Sequence, residues 1–81
     1  MNLYLLTQIK KRGYDTYDSS VVVAKSARDA RKIHPSIFRN GIWDNDGYSW
    51  PSDPADVQTE LIGKTTHKAL RGVICASFNA G

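Results

Sequence analysis

Hydrophobic and polar positions alternate at the start of the chain, which is the pattern of a β-strand. In residues 2–9, Leu3 and Leu5 fall on one side of this alternation, whereas Tyr4 and Leu6 fall on the other. A strand that is apolar on both sides is typical of the interior of a sheet with both faces covered. We therefore predict a central strand here.

A turn and a second strand follow. Residues 10–15 combine charged side chains with Gly13 and Asp15, which is the composition of an exposed turn. Residues 17–25 contain three consecutive valines, and β-branched side chains favour strands. The turn is short, so we predict that this second strand pairs antiparallel with the first.

A helix is predicted over residues 27–34. Ser26 is followed three residues later by Asp29, a weak capping box in which the hydroxyl accepts from an exposed amide and the carboxylate reaches back. Ala27 and Ala30 recur at three-residue spacing and predict an inner face of small side chains, close to the sheet. Pro35 biases the preceding residue away from helical geometry and ends the helix.

The next segment is rich in aromatic side chains and turn residues. It contains all three prolines and both tryptophans, so we expect an ordered connection. Asp46 and Gly47 form a dipeptide typical of a type I′ hairpin turn. With a two-residue turn, the small central hairpin would place Trp43 opposite Trp50.

Two further strands complete the prediction, over residues 57–65 and residues 72–78, with a polar loop between them. The fold class is α+β: an antiparallel β-sheet of about four strands with one short α-helix on a face (ββαββ) and the central β-hairpin. The predicted core consists of Leu3, Leu5, Val21, Val23, Ala27, Ala30, Ile33, Leu61, Ile74 and Phe78.

Length and composition predict a single domain over residues 1–81, because 81 residues with 41% hydrophobic side chains support one thin core. A core of that size leaves little stability for a deep catalytic pocket, which argues mildly against an enzyme. No apolar run approaches the roughly 20 residues that span a bilayer. Together with the lone Cys75, this predicts a cytoplasmic protein with no membrane partner.

The net charge of +3 conceals a division of the chain into three blocks. The first 40 residues carry eight cationic side chains and three carboxylates, residues 41–60 carry five carboxylates and no cation, and the remainder carries three cations. Separated charge presents a positive pole to anionic partners and a negative pole to cationic ones. A solvated surface of mixed sign is the alternative.

Candidate catalytic and metal-binding residues are few. His34, His67 and Cys75 match no structural zinc spacing, so no metal site is predicted. Aligning Gly47 with the glycine of a calcium loop places Ile42 at the first ligand position, and the calcium motif therefore fails. We interpret Cys75 as a small buried hydrophobic residue. We predict no catalytic residues, no enzymatic activity and no cofactor.

Nucleic-acid binding remains an alternative, because basic and aromatic residues together are typical of it. Tyr14 and Tyr17 lie near the cations of residues 10–12, but both tryptophans lie in the acidic block, which would repel a phosphate backbone. The predicted helix is also too short to fill a major groove.

Three stretches carry a resemblance: RGYDTYDSSVVVAKSARDARKIHP at residues 12–35, ELIG at residues 60–63 and GVICASFNAG at residues 72–81. They span about half of the chain and resemble small uncharacterised proteins of tailed bacteriophages and prophages. The resemblance brings no activity with it. It implies a bacterial cytoplasm during infection, where small phage proteins often inhibit host defence as anti-CRISPR proteins or by sequestering immune nucleotides.

Together these observations predict a phage-encoded, non-enzymatic counter-defence protein that acts by binding and occlusion, with a small basic nucleic-acid-binding module as the alternative. The partner is either a host defence protein or an anionic nucleotide, and capture of a nucleotide between subunits would require a homo-oligomer. The predicted ligand-binding residues are Lys10, Lys11, Arg12, Tyr14, Tyr17, Arg28, Arg31 and Lys32. The predicted protein-interface residues are Trp43, Asp44, Asp46, Tyr48, Trp50 and Asp53.

Overall fold

The computed structural model describes residues 1–36, 49–66 and 68–79. Four strands form one antiparallel sheet in the order β3-β1-β2-β4. Their bounds are β1 Asn2–Thr7, β2 Thr16–Ala24, β3 Gln58–Lys64 and β4 Gly72–Asn79. The predicted α+β class and the central position of the first strand are thereby confirmed. Most of the predicted hairpin falls on residues 37–48, outside the described ranges.

The α-helix in the described ranges, α1, spans Ala27–Ala30 and is shorter than predicted. The Ser26 hydroxyl accepts from the backbone N–H of Asp29 at 3.1 Å, as the capping box requires. After Arg31 the backbone changes to i→i−3 hydrogen bonds, in which Ile33 N donates to Ala30 O at 3.0 Å. Pro35 restricts only His34, so the earlier end at Ala30 reflects the packing of the tightened turn that follows, in which Ile33 is buried.

The core lies on one face of the sheet, beneath α1 and the segment that follows it. Among the described residues, its main cluster contains the buried side chains of Tyr4, Leu6, Val22, Ala24, Ala30, Ile33, Trp50 and Val57. The predicted core is confirmed for Val23, Ala30 and Ile33, which are buried, but it was wrong for Leu3, Leu5 and Val21, which are only half-buried on the opposite face. Both sides of β1 are apolar, so alternation located the strand without showing which side faces the helix.

An irregularity in the pairing of β2 with β4 changes which β4 side chains face the core. Val21 is paired with Cys75, but Val22 is paired with Val73, so Ile74 is an extra residue in β4. Val73 therefore packs against the core, whereas Cys75 lies on the opposite face. The predicted burial of Cys75 was wrong, because its strand lies at the edge of the sheet and its thiol is exposed.

The core prediction also fails at both edges of the sheet. Leu61 in β3 is 57% exposed, Ile74 in β4 is 60% exposed and Phe78 in β4 is 47% exposed. Helix α1 has only four residues and covers too little of the sheet to bury these side chains on the two outer strands. The apolar side chains on these strands consequently remain at the surface.

Within the described ranges, no helix is long and apolar enough to cross a membrane.

Candidate functional site

The turn between β1 and β2 carries Lys10, Lys11 and Arg12, and the side chain of Gln8 holds its backbone in place. Gln8 Nε2 donates to Lys11 O and to Tyr17 O, each at 2.7 Å. Gln8 Oε1 in turn accepts from Lys11 N at 2.7 Å. Gln8 is 7% exposed, so these bonds are shielded from water and fix the loop to both strands.

Two residues in this turn adopt left-handed backbone conformations. Gly13 has φ +102° and Asp15 has φ 62°. Glycine adopts positive φ without the steric cost that a Cβ imposes, and Asp is among the few other residues that tolerate it. Thr16 closes the loop, because its hydroxyl donates to Gly13 O at 2.9 Å. The turn therefore has one defined conformation.

The three cations of the turn differ in how far the protein already neutralises them. Lys10 Nζ lies 3.3 Å from Asp56 Oδ2, so the acidic block meets the basic turn at this point. Arg12 Nε donates to Ile9 O at 3.3 Å, which positions its guanidinium at the surface. Neither Lys11 nor Arg12 forms an ion pair with any residue in the described ranges. Among the described residues, Lys11 and Arg12 are therefore the turn cations without a carboxylate partner.

The two tyrosines predicted to stack on a ligand have different environments. Tyr14 is 73% exposed beside the turn. Tyr17 packs against Phe78 at a ring-centroid distance of 4.7 Å and meets His34 edge-on at 6.2 Å. The Tyr17 ring is thus part of the packing around the core, and Tyr14 is the tyrosine that a ligand at the turn can reach.

The cations of the helical region are separated from the turn. Helix α1 begins close to the end of the sheet where Asn2 pairs with Ala24, opposite the turn. The predicted ligand set is therefore divided between the two ends of the sheet, with Arg28 at the helical end. Arg31 and Lys32 lie in the segment between α1 and His34, whose ring contacts Tyr17 near the turn.

An ion pair connects α1 to the residue preceding β4. Arg71 Nε donates to both carboxylate oxygens of Asp29, at 2.9 and 3.0 Å. This hydrogen bond from Arg71 is the main reason that the pKa of Asp29 lies below its ordinary value, and its effect exceeds the opposing effect of desolvation. Asp29 is therefore held as an anion by Arg71, and the pair is not part of the basic turn.

Most of the predicted protein-interface residues, namely Trp43, Asp44, Asp46 and Tyr48, lie outside the described residues. Trp50 is fully buried in the core, so it is a core residue and not a surface anchor. Asp53 is exposed, and its Oδ1 accepts from Ala55 N at 3.0 Å. This bond caps the 3-10 turn Pro54–Asp56, so the position has a local structural role.

The described residues contain no group of three or more His, Cys, Asp or Glu side chains arranged to hold a metal ion. Cys75 lines a shallow cavity of about 190 Å³ between β2 and β4, together with Ser19 and Ser77.

Sequence reasoning overlooked the surface formed by β4. This strand is at one edge of the sheet, and its side chains from Ile74 to Phe78 are exposed. The signal in the sequence was a run of eight residues, Gly72–Asn79, that contains neither Lys, Arg, Asp, Glu nor Pro. Edge strands usually carry such residues as protection against pairing with another chain.

Comparisons with protein families, with curated proteins and with solved structures find no match to this chain.

Proposed function

We propose that this protein acts by binding rather than by catalysis, and that it captures a phosphate-bearing ligand at the turn between β1 and β2. The observation that supports this proposal is the bracing of the Lys11 backbone by two hydrogen bonds to the buried side chain of Gln8, which also donates to Tyr17 O. A loop that is already ordered loses little conformational entropy when a ligand binds. The backbone then presents Lys11 and Arg12 from defined positions.

The chemistry of the turn suits a phosphate. The Arg12 guanidinium and the Lys11 ammonium supply charge-assisted donors, and the exposed ring of Tyr14 supplies a stacking surface for a base. Lys10 can join them, because an exposed ion pair such as Lys10 with Asp56 contributes only about 0–1 kcal/mol and is readily exchanged. The ligand class is a nucleotide or another compact phosphate ester.

Resemblance to small proteins of tailed bacteriophages supports a biological setting for this activity. In that setting the protein is a counter-defence factor in the host cytoplasm, and it sequesters a nucleotide immune signal by occlusion. An inhibitor that contacts a host protein through residues 43–53 is the other form of the same hypothesis.

The test compares charge reversal in the turn with charge reversal elsewhere. Arg12→Glu and Lys11→Glu are expected to weaken binding of a cyclic dinucleotide or ATP at least tenfold by isothermal titration calorimetry, because a charge-assisted hydrogen bond contributes about 1.5–3 kcal/mol. Lys64→Glu applies the same change in charge to an exposed residue at the opposite end of β3 and is expected to leave binding unchanged.

Outcomes of this titration separate the alternatives. Binding of single-stranded DNA in preference to the nucleotides, with a steep dependence on salt, would favour the nucleic-acid-binding module. Equal losses in the Arg12 and Lys64 variants would show a non-specific effect of net charge. If none of these probes binds the native protein, the proposal is wrong.

A further inference from the structure

Within the part of the chain that the structure describes, strand β4 leaves one long edge of the sheet open. It has eight residues and pairs with β2 along one side, and no strand in the described ranges lies along its other side. The backbone N–H and C=O groups on that outer side are positioned to pair with a further strand. This edge of the sheet is independent of the turn between β1 and β2 and of any ligand bound at that turn.

The opposite edge strand, β3, is protected against such pairing. It carries Glu60 and Lys64, both exposed. Charged side chains are a common device that prevents an edge from adding a strand. Since β4 carries neither a carboxylate nor a cation, the two edges differ in their capacity to pair.

The ends of β4 have opposite charges nearby. At the Asn79 end, Asn79 Nδ2 donates to Asp18 Oδ1 at 2.9 Å, and Asp15 N donates to Asn79 O. At the Gly72 end, Lys68 is exposed, and Arg71 lies just before the strand with its guanidinium paired to Asp29. An antiparallel copy of β4 would bring Asp18 of one chain toward Lys68 of the other. The edge is therefore complementary in charge to itself.

We propose that β4 pairs with β4 of a second copy of this chain, so that two sheets join into one antiparallel sheet of eight strands. The two copies are related by a twofold axis perpendicular to the sheet, and each contributes the same surface. With this axis, residues that pair across the two copies lie on the same face of the joined sheet. The pairing is therefore centred on one residue, which lies directly opposite the same residue of the second copy.

Ala76 is that central residue. Centring the pair there places Phe78 opposite Ile74 of the second copy, and by symmetry the same contact forms twice. In the single chain these side chains are 47% and 60% exposed. The small Ala76 side chains meet at the axis without a clash, and the apolar side chains on either side of them are covered.

The first measurement is the mass and geometry of the native protein in solution. Light scattering on a size-exclusion column is expected to give twice the 9.0 kDa of one chain. A spin label on Cys75 is expected to show strong dipolar broadening, since the two Cys75 Cα atoms would lie about 8 Å apart. A chain that remains monomeric up to about 100 µM would overturn the proposal.

A matched label position distinguishes the two edges. Glu60 lies in the same row of the sheet as Cys75, because Leu5 pairs with both Glu60 and Val21, and Val21 pairs with Cys75. In Cys75→Ser, Glu60→Cys the labels are expected about 34 Å apart, seven strand spacings of about 4.8 Å. A short distance at Glu60 together with a long one at Cys75 would place the contact at β3 and overturn the proposal.

Charge variants at the axis provide an independent test. Ala76→Lys and Ala76→Glu each place like charges directly opposite one another and are expected to give monomers that keep the native circular dichroism spectrum. An equimolar mixture pairs Lys with Glu and is expected to restore the dimer. Leu61→Lys, at an exposed position of β3, is expected to leave the dimer intact; a dimer that persists in both single Ala76 variants would overturn the proposal.

Discussion

At the residue scale, the side chain of Gln8 links three parts of the turn: its own strand, Lys11 and Tyr17. Its amide donates to two carbonyl oxygens and accepts from one N–H, so both ends of the amide are required. Buried polar groups in such a network cost free energy when a partner is removed. The sequence predicted the turn itself but not this role, because nothing in the pattern of residues 8–11 marks Gln8 as buried.

Gln8→Glu tests this role with a side chain of nearly the same shape. A carboxylate cannot donate to the two carbonyls, so we expect the free energy of unfolding to fall by about 1–3 kcal/mol in urea titrations. Gln58→Glu makes the same chemical change at an exposed position at the start of β3, where we expect a change within about 0.5 kcal/mol. Similar losses in both variants would mean that the bracing bonds contribute little.

Asp29 gives a prediction about pH. Its pKa in the folded protein lies below its ordinary value because Arg71 donates to it. The stabilisation from this ion pair is therefore fully present above the ordinary pKa of an aspartate, and it is lost as the pH falls through the lowered value. We expect the difference in unfolding free energy between the native protein and Asp29→Asn to shrink on acidification below about pH 4.

The control for this measurement is Arg71→Gln, which removes the cause of the lowered pKa. In the Arg71→Gln background, the effect of Asp29→Asn on the free energy of unfolding should depend much less on pH. A difference of the same size in both backgrounds would indicate that Arg71 is not the main cause.

At the scale of elements, the sequence located all four strands to within one or two residues but assigned the wrong face to the core. Period-two alternation defines two faces, and in β1 both are apolar, so only the position of α1 determines which is buried. The irregularity at Ile74 could not be predicted either, because the hydrophobic pattern of β4 does not show where an extra residue is inserted. Helix length was overestimated because the cap predicts where a helix begins and not where tertiary packing ends it.

Leu6 and Leu5 test the assignment of faces directly. Leu6 is fully buried, whereas the neighbouring Leu5 is half-buried on the opposite face. We expect Leu6→Ala to lower the free energy of unfolding by about 2–5 kcal/mol, and Leu5→Ala to lower it clearly less. The reverse order in urea titrations would place the core on the face that carries Leu5.

At the scale of the whole molecule, the three blocks of charge are real features of the sequence, but the fold brings opposite signs together. Lys10 of the first block pairs with Asp56 of the acidic block, and Asp29 pairs with Arg71 of the last. Which loops meet depends on the order of strands in the sheet, and that order cannot be derived from counts of charge. The basic turn was predictable from residues 10–12; the separation of Arg28 from it was not.

The strand order also determines how the chain can fold. Strands β1 and β2 are joined by a short turn, so their pairing is local and closes a small loop. By contrast, β4 joins β2 across a wide separation in sequence, as in the pairing of Tyr17 with Phe78. Local contacts form faster than distant ones, so we expect the β1–β2 hairpin to form first and the outer strands to assemble onto it. Until β4 docks, the valine-rich strand β2 is itself an unpaired edge strand. We therefore expect the partly folded chain, before β4 is in place, to be the form most prone to aggregation.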